Sequence, residues 1–492
     1  MSRASIVVVG GGVSGLSAAW ELSGGAEGPN DATPRIELIE DGPVVGGSLA
    51  TTQFANRTID LGADGFLARR PEAVELVREL GIGDQLEAVD ASGASIWLRG
   101  ALDELPTGLA LGIPTSSGQL KNVRGLTWRA RLDARRDEHA PVRMKIGDDE
   151  TIGEIVRTKL GAEICYQLVE PMLGGIQAGR IDDLSAKSVF PALLAAARKG
   201  GSLMRAMRAS GPVAPGPSAT SASLPSSDGD SPIFYSLLDG VGSLPLEIAR
   251  RLRERGVVLR TGVAVTALRR TPSGNYPWEV DTQTTTTPAD SVVLATPAPV
   301  TARLLGAHDP AIARLESVRS ASAAMVTFSV ARTAIDMNAV GTGVLVPLGT
   351  TWSGDGSMMT TAVTFLDRKW PHLRRDDDVL VRAHVGRIDD LRWSELSDEQ
   401  LIARVADELG ILLGTFGTPN EAIVQRWLNG LPQYYLGHET MVASARHGAA
   451  TLGVTLCGNA YDGVGIPASV GSGRRAGREA LEIVRVASDV TN

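Results

Sequence analysis

The chain has 492 residues, more than a single hydrophobic core usually holds, so two or three domains are expected. Hydrophobic residues make up 43% and charged residues 21% of the chain, which is ordinary for a soluble globular protein. The net charge of −8 argues against a nucleic-acid-binding protein, because such proteins carry an excess of basic residues.

The first forty residues predict a strand, a glycine-rich turn, a helix and a second strand. Residues 4–9 (ASIVVV) are rich in β-branched residues and indicate a buried strand, and residues 35–40 (RIELIE) indicate another. Residues 10–15 form the turn, and the helix runs over 16–22. A right-handed crossover makes the two strands parallel, so we expect a βαβ unit.

The later elements are predicted from the same hydrophobic patterns. Helices are expected over 71–80, 151–170, 243–255 and 398–413. Strands are expected over 257–260, 263–268 and 291–296, and a separate antiparallel sheet is expected to include 321–330 and 358–366. Residues 451–484 indicate a strand, a glycine-rich turn and a helix, whereas the Pro-, Ser- and Gly-rich stretch 209–231 indicates a mobile loop or linker.

Three consecutive glycines interrupt the apolar pattern directly after the first strand. Gly10, Gly12 and Gly15 occupy the glycine positions of G-x-G-x-x-G, the turn that brings a pyrophosphate close to the backbone and to a helix N-terminus. Glu40 ends the second strand, where a carboxylate can accept hydrogen bonds from both ribose hydroxyls and disfavours the 2′-phosphate of NADP. The pattern predicts a dinucleotide site; the alternative is a tight turn without a ligand.

Two further segments favour FAD over NAD. Gly46 and Gly47 follow shortly after Glu40, and in many flavoproteins this stretch continues along the diphosphate of FAD. Near the end of the chain, a strand over 452–456 runs into Gly458 and a helix begins near Ala468. The N-terminus of that helix would stabilise an anionic reduced flavin through its dipole.

Segments along nearly the whole chain resemble the protoporphyrinogen oxidase family of amine-oxidase-like flavoproteins. They are IVVVGGGVSGLSAA (6–19), GADGFLARRPEAVELVRELG (62–81), LGIPTS (111–116), VEPMLGGIQAGRIDDLSAKSVFP (169–191), LLDGVGSLPLEIARRL (237–252), ADSVVLATPAPVTARLL (289–305), RKWPH (368–372), LPQYYLGH (431–438) and GNAYDGVGIPASVGSG (458–473). The GIPTS, WPH and PQYYLGH stretches are similar to the soluble branch of monoderm bacteria. That branch oxidises coproporphyrinogen III to coproporphyrin III in coproporphyrin-dependent haem biosynthesis.

The resemblance implies FAD as the cofactor, oxygen as the electron acceptor and hydrogen peroxide as a product. No catalytic side chain and no metal are expected, because the flavin carries the chemistry. The residues assigned to FAD are Gly10, Gly12, Val13, Ser14, Gly15, Glu40, Asp41, Gly46, Gly47, Ser48, Gly62, Ala63, Val263, Val265, Thr296, Gly458, Asn459, Gly465, Ile466 and Pro467.

The chain departs from the family pattern at three places. Ser48 stands where relatives often have Lys or Arg, and Ala468 and Ser469 replace an Asp-Cys pair. Gln177 and Arg180 stand where a Tyr and an acidic residue are usual. The change at Arg180 is expected to alter the mouth of the substrate site.

Coproporphyrinogen carries four propionates, so an acidic protein must concentrate basic residues where the substrate binds. Arg69 and Arg70 are the first candidates, against the alternative that they form a solvated turn. Arg180 is a weaker candidate, as are Arg368 and Lys369. Gly174, Gly175 and Ile176 are expected to form an apolar wall against the macrocycle, with ordinary core packing as the alternative. His438 is interpreted as structural rather than catalytic.

Two other functions are compatible with parts of the pattern. An amine oxidase or carotenoid-type desaturase would use the same cofactor, but an amine oxidase needs an aromatic cage, and aromatic residues are only 4% of the chain. A binding protein similar to the Rab GDP-dissociation inhibitors would share the fold without flavin chemistry. The intact glycine motif and Glu40 oppose that function, and a yellow purified protein would exclude it.

The predicted architecture is an α/β (mixed α+β) chain with a Rossmann-like FAD-binding domain. That domain is discontinuous and comprises 1–90, 235–300 and 441–492. A helical domain similar to the family's membrane-binding domain covers 95–210, a flexible loop covers 211–232, and a mixed-sheet substrate domain covers 301–440.

A cytoplasmic location is expected, with at most peripheral membrane contact. Two cysteines are too few for a disulfide framework, no apolar stretch of about 18 residues or more occurs, and the N-terminus lacks a signal-peptide pattern. Family analogy suggests transient contact with a chelatase of the haem pathway. The oligomeric state is not predicted.

Overall fold

The structure is a computed structural model that describes residues 3–90, 93–210, 232–271, 276–336, 338–352 and 356–491. Except for Pro232, the loop predicted over 211–232 lies outside the described residues.

The described strands are, in chain order, β1 (Ser5–Val9), β2 (Arg35–Ile39), β3 (Thr51–Phe54), β4 (Arg57–Asp60), β5 (Phe66–Leu67), β6 (Leu86–Ala88), β7 (Ser95–Leu98), β8 (Ala101–Glu104), β9 (Phe234–Leu237), β10 (Val258–Arg260), β11 (Val265–Arg270), β12 (Trp278–Thr282), β13 (Thr286–Ala289), β14 (Ser291–Leu294), β15 (Ser320–Ala331), β16 (Gly343–Leu345), β17 (Thr360–Phe365), β18 (Asp378–Val385), β19 (Glu421–Pro432) and β20 (Val454–Leu456).

The described helices are α1 (Val13–Leu22), α2 (Pro71–Glu79), α3 (Trp128–His139), α4 (Ile152–Leu160), α5 (Ala162–Ile164), α6 (Gly175–Gln177), α7 (Ala186–Val189), α8 (Pro191–Arg198), α9 (Leu203–Ala209), α10 (Ser243–Glu254), α11 (Ala298–Leu305), α12 (Pro310–Ala313), α13 (Leu366–Lys369), α14 (Asp398–Leu413), α15 (His438–Thr451), α16 (Asn459–Asp462) and α17 (Ile466–Thr491). A π-helix, Cys165–Gly174, joins α5 to α6.

A five-stranded parallel sheet brings the two ends of the chain together. Its order is β10-β2-β1-β14-β20, and each neighbouring pair is parallel. The predicted βαβ unit is confirmed. Successive residues of β1 point into two different cores, Val8 into one and Val7 into the other, which explains the unbroken apolar run. The carboxyl ends of all five strands lie at one edge.

Glycines allow α17 to pack closely on α1. A Cβ added at Gly473 would lie 2.1 Å from the carbonyl oxygen of Ser14, and one at Gly477 would lie 2.8 Å from that of Ala18. The backbones of the first and last long helices therefore approach each other where a larger side chain would separate them. This contact joins the N-terminal and C-terminal segments into one module.

A seven-stranded sheet has the order β19-β15-β18-β17-β16-β7-β8. All its pairings are antiparallel except that of β16 with β7, so the predicted second sheet is confirmed for β15 and β17. One face packs against α14 through residues such as Val326 and Val363. On the other face Arg382 donates a hydrogen bond to the carbonyl oxygen of Gly62 at 3.2 Å, and Leu380 packs with Ile59, so this face contacts β4 and the segment that follows it.

The predicted helical domain begins at residue 95, but residues 95–104 contain β7 and β8, which form the edge of the seven-stranded sheet. These strands are four residues each, too short for alternation to stand out in the sequence. The predicted helix 151–170 is divided into α4, α5 and the π-helix. None of the described helices is long and apolar enough to cross a membrane. The division into domains otherwise stays a prediction.

Candidate functional site

In the loop after β1 the fold requires glycine at two positions but not at a third. Gly10 has φ +104°, and a Cβ there would lie 2.5 Å from the carbonyl oxygen of Ala295. A Cβ on Gly15 would lie 1.9 Å from the carbonyl oxygen of Gly10. Gly12 has an extended backbone (φ −67°, ψ 173°), and an added Cβ would meet no described heavy atom within 4 Å. The space beside Gly12 is therefore available to a ligand.

Gly12 immediately precedes α1, whose first residues are Val13 and Ser14. The N–H groups of a first helical turn have no partner within the helix, so the start of α1 next to Gly12 has the character of an anion-binding helix N-terminus.

The carboxylate of Glu40 lies beside this loop. Its two oxygens accept hydrogen bonds from the backbone N–H groups of Gly11 at 2.5 Å and Gly42 at 2.8 Å. The N–H of Val263 donates to the backbone carbonyl of Glu40 at 3.0 Å. The structure thus brings Val263 to the end of β2, next to the exposed Asp41, while Val265 opens β11.

The second glycine pair continues the same surface. The N–H of Gly46 donates to the carbonyl of Gly11 at 2.9 Å, and a Cβ on Gly47 would lie 3.4 Å from the Cα of Gly12. Ser48 is exposed, and its carbonyl oxygen would lie 2.8 Å from a Cβ on Gly62. Ala63, the next residue, is also exposed. The segments predicted to contact the FAD diphosphate therefore lie next to one another.

The C-terminal segment reaches the same edge through β20. Gly458 has φ +125°, and among the described residues no heavy atom would lie within 4 Å of an added Cβ. Asn459 donates from Nδ2 to the carbonyl of Gly430 at 3.2 Å.

Gly465 has φ +114° and precedes α17, which begins with Ile466 and Pro467, two residues before the predicted start near Ala468. Thr296 follows β14 and shares a hydrogen bond with Thr301 at 2.7 Å.

An ionic cluster missed by the sequence analysis supports this C-terminal turn. Ser472 accepts a hydrogen bond from the N–H of Gly458 at 2.9 Å and donates one to Asp462. Arg475 lies 2.9 Å and Arg446 2.5 Å from Asp462. Burial alone would raise the pKa of Asp462, but the two guanidinium groups hold it below its usual range. In the sequence, the only sign of this cluster is the pair of arginines that follows the segment GSG at 471–473.

His438 is enclosed by the same part of the fold. Its Nε2 lies 2.9 Å from the carbonyl oxygen of Ala460, and its ring stacks on Tyr434 with the centroids 4.5 Å apart. Burial lowers the pKa of His438. These contacts support the structural interpretation.

The predicted macrocycle wall lies where the π-helix ends. Gly175 has helical backbone angles (φ −62°, ψ −43°), and no described atom would lie within 4 Å of an added Cβ. Ile176 is buried in the core of the helical region, and Gly174 is buried beside it. Val464, from the turn before α17, packs against that same core. The wall and the C-terminal turn therefore both contact the core of the helical region.

Two of the candidate propionate ligands contact acidic side chains of the chain itself. Arg70, next to the exposed Arg69, binds Glu72 through two nitrogens at 2.8 and 3.2 Å. Arg180 lies 3.2 Å from Glu170 and 2.8 Å from Asp389. A propionate would therefore have to compete with acidic side chains at Arg70 and Arg180.

The weaker candidates also have partners within the chain. Lys369 is buried and forms an ion pair with Asp64 at 2.6 Å, and Arg368 donates to the carbonyl of Ala339 at 2.6 Å. The roles of all these basic residues stay predictions.

Glu40, Gly12, Thr296 and Gly458 follow four different strands and meet at the carboxyl edge of the parallel sheet. A glycine loop, a helix N-terminus and a carboxylate after the second strand define a Rossmann-type dinucleotide-binding protein. The open space at Gly12 and Gly458 fits a long dinucleotide such as FAD, because the first follows β1 and the second follows β20.

Comparison with known proteins extends this assignment. The family model of flavin containing amine oxidoreductases matches residues 13–481. The coproporphyrinogen III oxidase of Bacillus subtilis (strain 168) is 32% identical over 479 residues, 97% of each chain. The protoporphyrinogen oxidase of Homo sapiens is 29% identical over 488 residues, 96% of this chain and 97% of the relative. A crystal structure from Exiguobacterium sp. 255-15 matches with a TM-score of 0.83 and 30% identity, covering 98% of this chain and 99% of the other.

The chain therefore belongs to the flavin containing amine oxidoreductases and, within them, to the family of the porphyrinogen oxidases. Its fold is that of the amine-oxidase-like flavoproteins, its cofactor is FAD and it is an oxidoreductase. These three predictions are confirmed.

Proposed function

We propose that this enzyme oxidises coproporphyrinogen III to coproporphyrin III, with oxygen as the final electron acceptor and hydrogen peroxide as the product. The observation that carries the proposal is similarity over the full length to a coproporphyrinogen III oxidase. The open face of Gly175 adds support, because no described atom would lie within 4 Å of an added Cβ and the backbone there is accessible to a flat macrocycle.

The reaction removes six hydrogens from the four-pyrrole macrocycle in three two-electron rounds. Bound FAD supplies the hydride-acceptor chemistry. The chain itself has to bind the macrocycle, orient a bridging carbon and exclude water. The wall at Gly174–Ile176 would position the ring, and basic side chains would hold the propionates. The N-terminus of α17 would stabilise negative charge on the bound flavin through its dipole.

A second candidate substrate is protoporphyrinogen IX, which the name of the human relative favours. The two are separated by initial rates of porphyrin fluorescence, measured in air with each porphyrinogen in parallel. We expect a higher kcat/KM for coproporphyrinogen III. A preference for protoporphyrinogen IX would assign the protein to the other branch, and no turnover by a yellow, FAD-loaded protein would contradict porphyrinogen oxidation altogether.

Replacing Arg69 by alanine is expected to raise KM for coproporphyrinogen III by about threefold, since a contact between a carboxylate and an exposed arginine contributes ~0.7 kcal/mol. For Arg70→Ala we expect KM to rise less than twofold, because a propionate has to compete with Glu72 for the Arg70 guanidinium. Steady-state kinetics with Arg78→Ala, in the last turn of the adjoining helix α2, provide the control. Unchanged KM in the double variant of Arg69 and Arg70 would contradict their role in holding propionates.

The proposal includes a cytoplasmic location with at most peripheral membrane contact. By family analogy, it also includes transient transfer of the product to a chelatase of the haem pathway.

A further inference from the structure

A fully enclosed carboxylate lies beneath the predicted macrocycle wall. Glu170, in the π-helix, has a side chain that is 0% exposed. Its Oε2 accepts a hydrogen bond from the N–H of Ile181 at 3.0 Å, which closes the turn between the π-helix and Ile181. A Cβ on Gly174 would lie 3.1 Å from the carboxyl carbon of Glu170, so Glu170 packs directly against the wall.

Two arginines approach the other carboxylate oxygen of Glu170. Arg180 Nε lies 3.2 Å and Arg387 Nη1 3.5 Å from Oε1. Arg180 belongs to the turn itself, whereas Arg387 follows β18 of the seven-stranded sheet. Burial raises the pKa of the Glu170 carboxyl and lowers that of Arg387, which is the cost of holding both charges away from water. Each charge therefore depends on the other.

Further contacts fix the turn to the sheet. Arg180 Nη1 lies 2.8 Å from Asp389, and the N–H of Ile388 donates to the carbonyl of Ala178 at 2.7 Å. Ala178 has φ +45°, a left-handed conformation that an alanine rarely adopts. A strained residue of this kind persists only where its surroundings hold it.

The wall carries a glycine that the fold does not require. Gly175 has helical backbone angles, and alanine would favour the helix by ~1 kcal/mol. An added Cβ would meet none of the described atoms within 4 Å. The chain thus keeps this surface flat although its own packing gives no reason to do so, as expected where a planar ligand approaches the backbone.

We propose that Glu170 is a positioning residue for substrate binding. Together with Arg180, Arg387 and Asp389 it forms a clamp that holds the wall Gly174–Ile176 at a fixed distance from the seven-stranded sheet. The clamp sets the width of the slot that receives the porphyrinogen ring, an inference that rests on the proposed function. Arg180 then acts within the clamp, so its predicted role as a propionate ligand becomes secondary.

Glu170→Gln tests the clamp because glutamine keeps the shape and the acceptor for Ile181 but removes the charge that Arg387 needs. We expect KM for coproporphyrinogen III to rise at least tenfold, with kcat changed less than threefold and FAD content unchanged. Glu408→Gln is the matched control. Glu408 is equally enclosed, accepts backbone hydrogen bonds from Met359 and Thr360 and pairs with Arg404 at 2.8 Å, but it lies on the opposite face of the sheet.

The control separates positioning from structural support. If Glu170→Gln lowers the melting temperature as Glu408→Gln does and leaves KM within twofold of the wild-type value, the clamp is overturned. If Glu170→Gln does not fold, Asp389→Asn decides, because Asp389 pairs with Arg180 at 2.8 Å and cannot itself bind a propionate. The clamp predicts a threefold rise in KM for this variant; an unchanged or lower KM overturns it. Wild-type protein that oxidises neither porphyrinogen contradicts the proposed function, and the clamp with it. If the wild type is active but the variants leave KM unchanged, the clamp alone is contradicted and the proposed function stands.

Discussion

Replacing Gly12 by alanine is expected to weaken FAD binding by at least ~100-fold, or about 3 kcal/mol. The melting temperature of the cofactor-free protein should not fall. Gly12 has extended backbone angles that alanine adopts without strain, and no described atom would lie within 4 Å of the new Cβ. The methyl group would instead occupy the space beside the N–H groups that begin α1. A pyrophosphate needs that space to approach the backbone.

Gly15→Ala is the matched comparison because its Cβ would lie 1.9 Å from the carbonyl oxygen of Gly10. We expect this variant to lose stability even without cofactor, since the clash separates α1 from the turn. Flavin absorbance of the purified proteins, titration of the cofactor-free proteins with FAD and melting temperatures distinguish the two cases. If Gly12→Ala bound FAD as tightly as the wild type, the pyrophosphate would not lie at this position.

The first and last segments of the parallel-sheet module could be predicted because their signals are local. An unbroken apolar run such as 4–9 has few alternatives to a strand covered on both faces, and glycines at fixed spacing indicate a close approach to the backbone. α15 has no such signal. Its buried face includes small residues such as Ala445, Gly448 and Ala449, which hardly differ in hydropathy from its exposed face.

The buried charges could not be predicted because their partners are far apart in the sequence. Glu170 meets Arg387, and Asp462 meets Arg446, only after the sheet and helices are assembled. The chain has 48 basic and 56 acidic residues, so the sequence offers too many possible pairs. The same reason explains why Arg70 and Arg180 could be recognised as basic residues near the site but not as members of ion pairs.

Replacing Asp60 by asparagine is expected to change how stability depends on pH. Asp60 ends β4, and its carboxylate accepts hydrogen bonds from the N–H groups of Val241 at 3.1 Å and Gly242 at 2.9 Å, just before α10. Burial raises the pKa of Asp60 to about 7, and the nearby charge of Asp64 adds to the increase. The folded protein therefore holds a proton between about pH 4 and 7 that the unfolded chain has released.

The sign follows from that difference in bound protons. Because the folded state binds the extra proton, the contribution of Asp60 to stability falls as the pH rises from about 4 to 7 and stays low above pH 7. The full change corresponds to about 4 kcal/mol, of which about 3 kcal/mol falls between pH 5 and pH 8. Asparagine resembles the protonated acid and does not titrate, so Asp60→Asn should melt near the wild-type temperature at pH 5. At pH 8 it should melt about 3 °C higher than the wild type.

Asp281→Asn controls for the loss of a carboxylate. Its hydrogen bond with Arg269 lowers the pKa of Asp281 to about 2, so the group is ionised in both states across the tested range. The difference in melting temperature between this variant and the wild type should therefore be the same at pH 5 and pH 8. For Asp60→Asn, a difference that does not change with pH would mean that Asp60 is ionised in the folded protein at pH 5. Asp60 would then be an anion over the whole range from pH 5 to pH 8. Its hydrogen bonds with the backbone N–H groups before α10 would be those of a charged carboxylate.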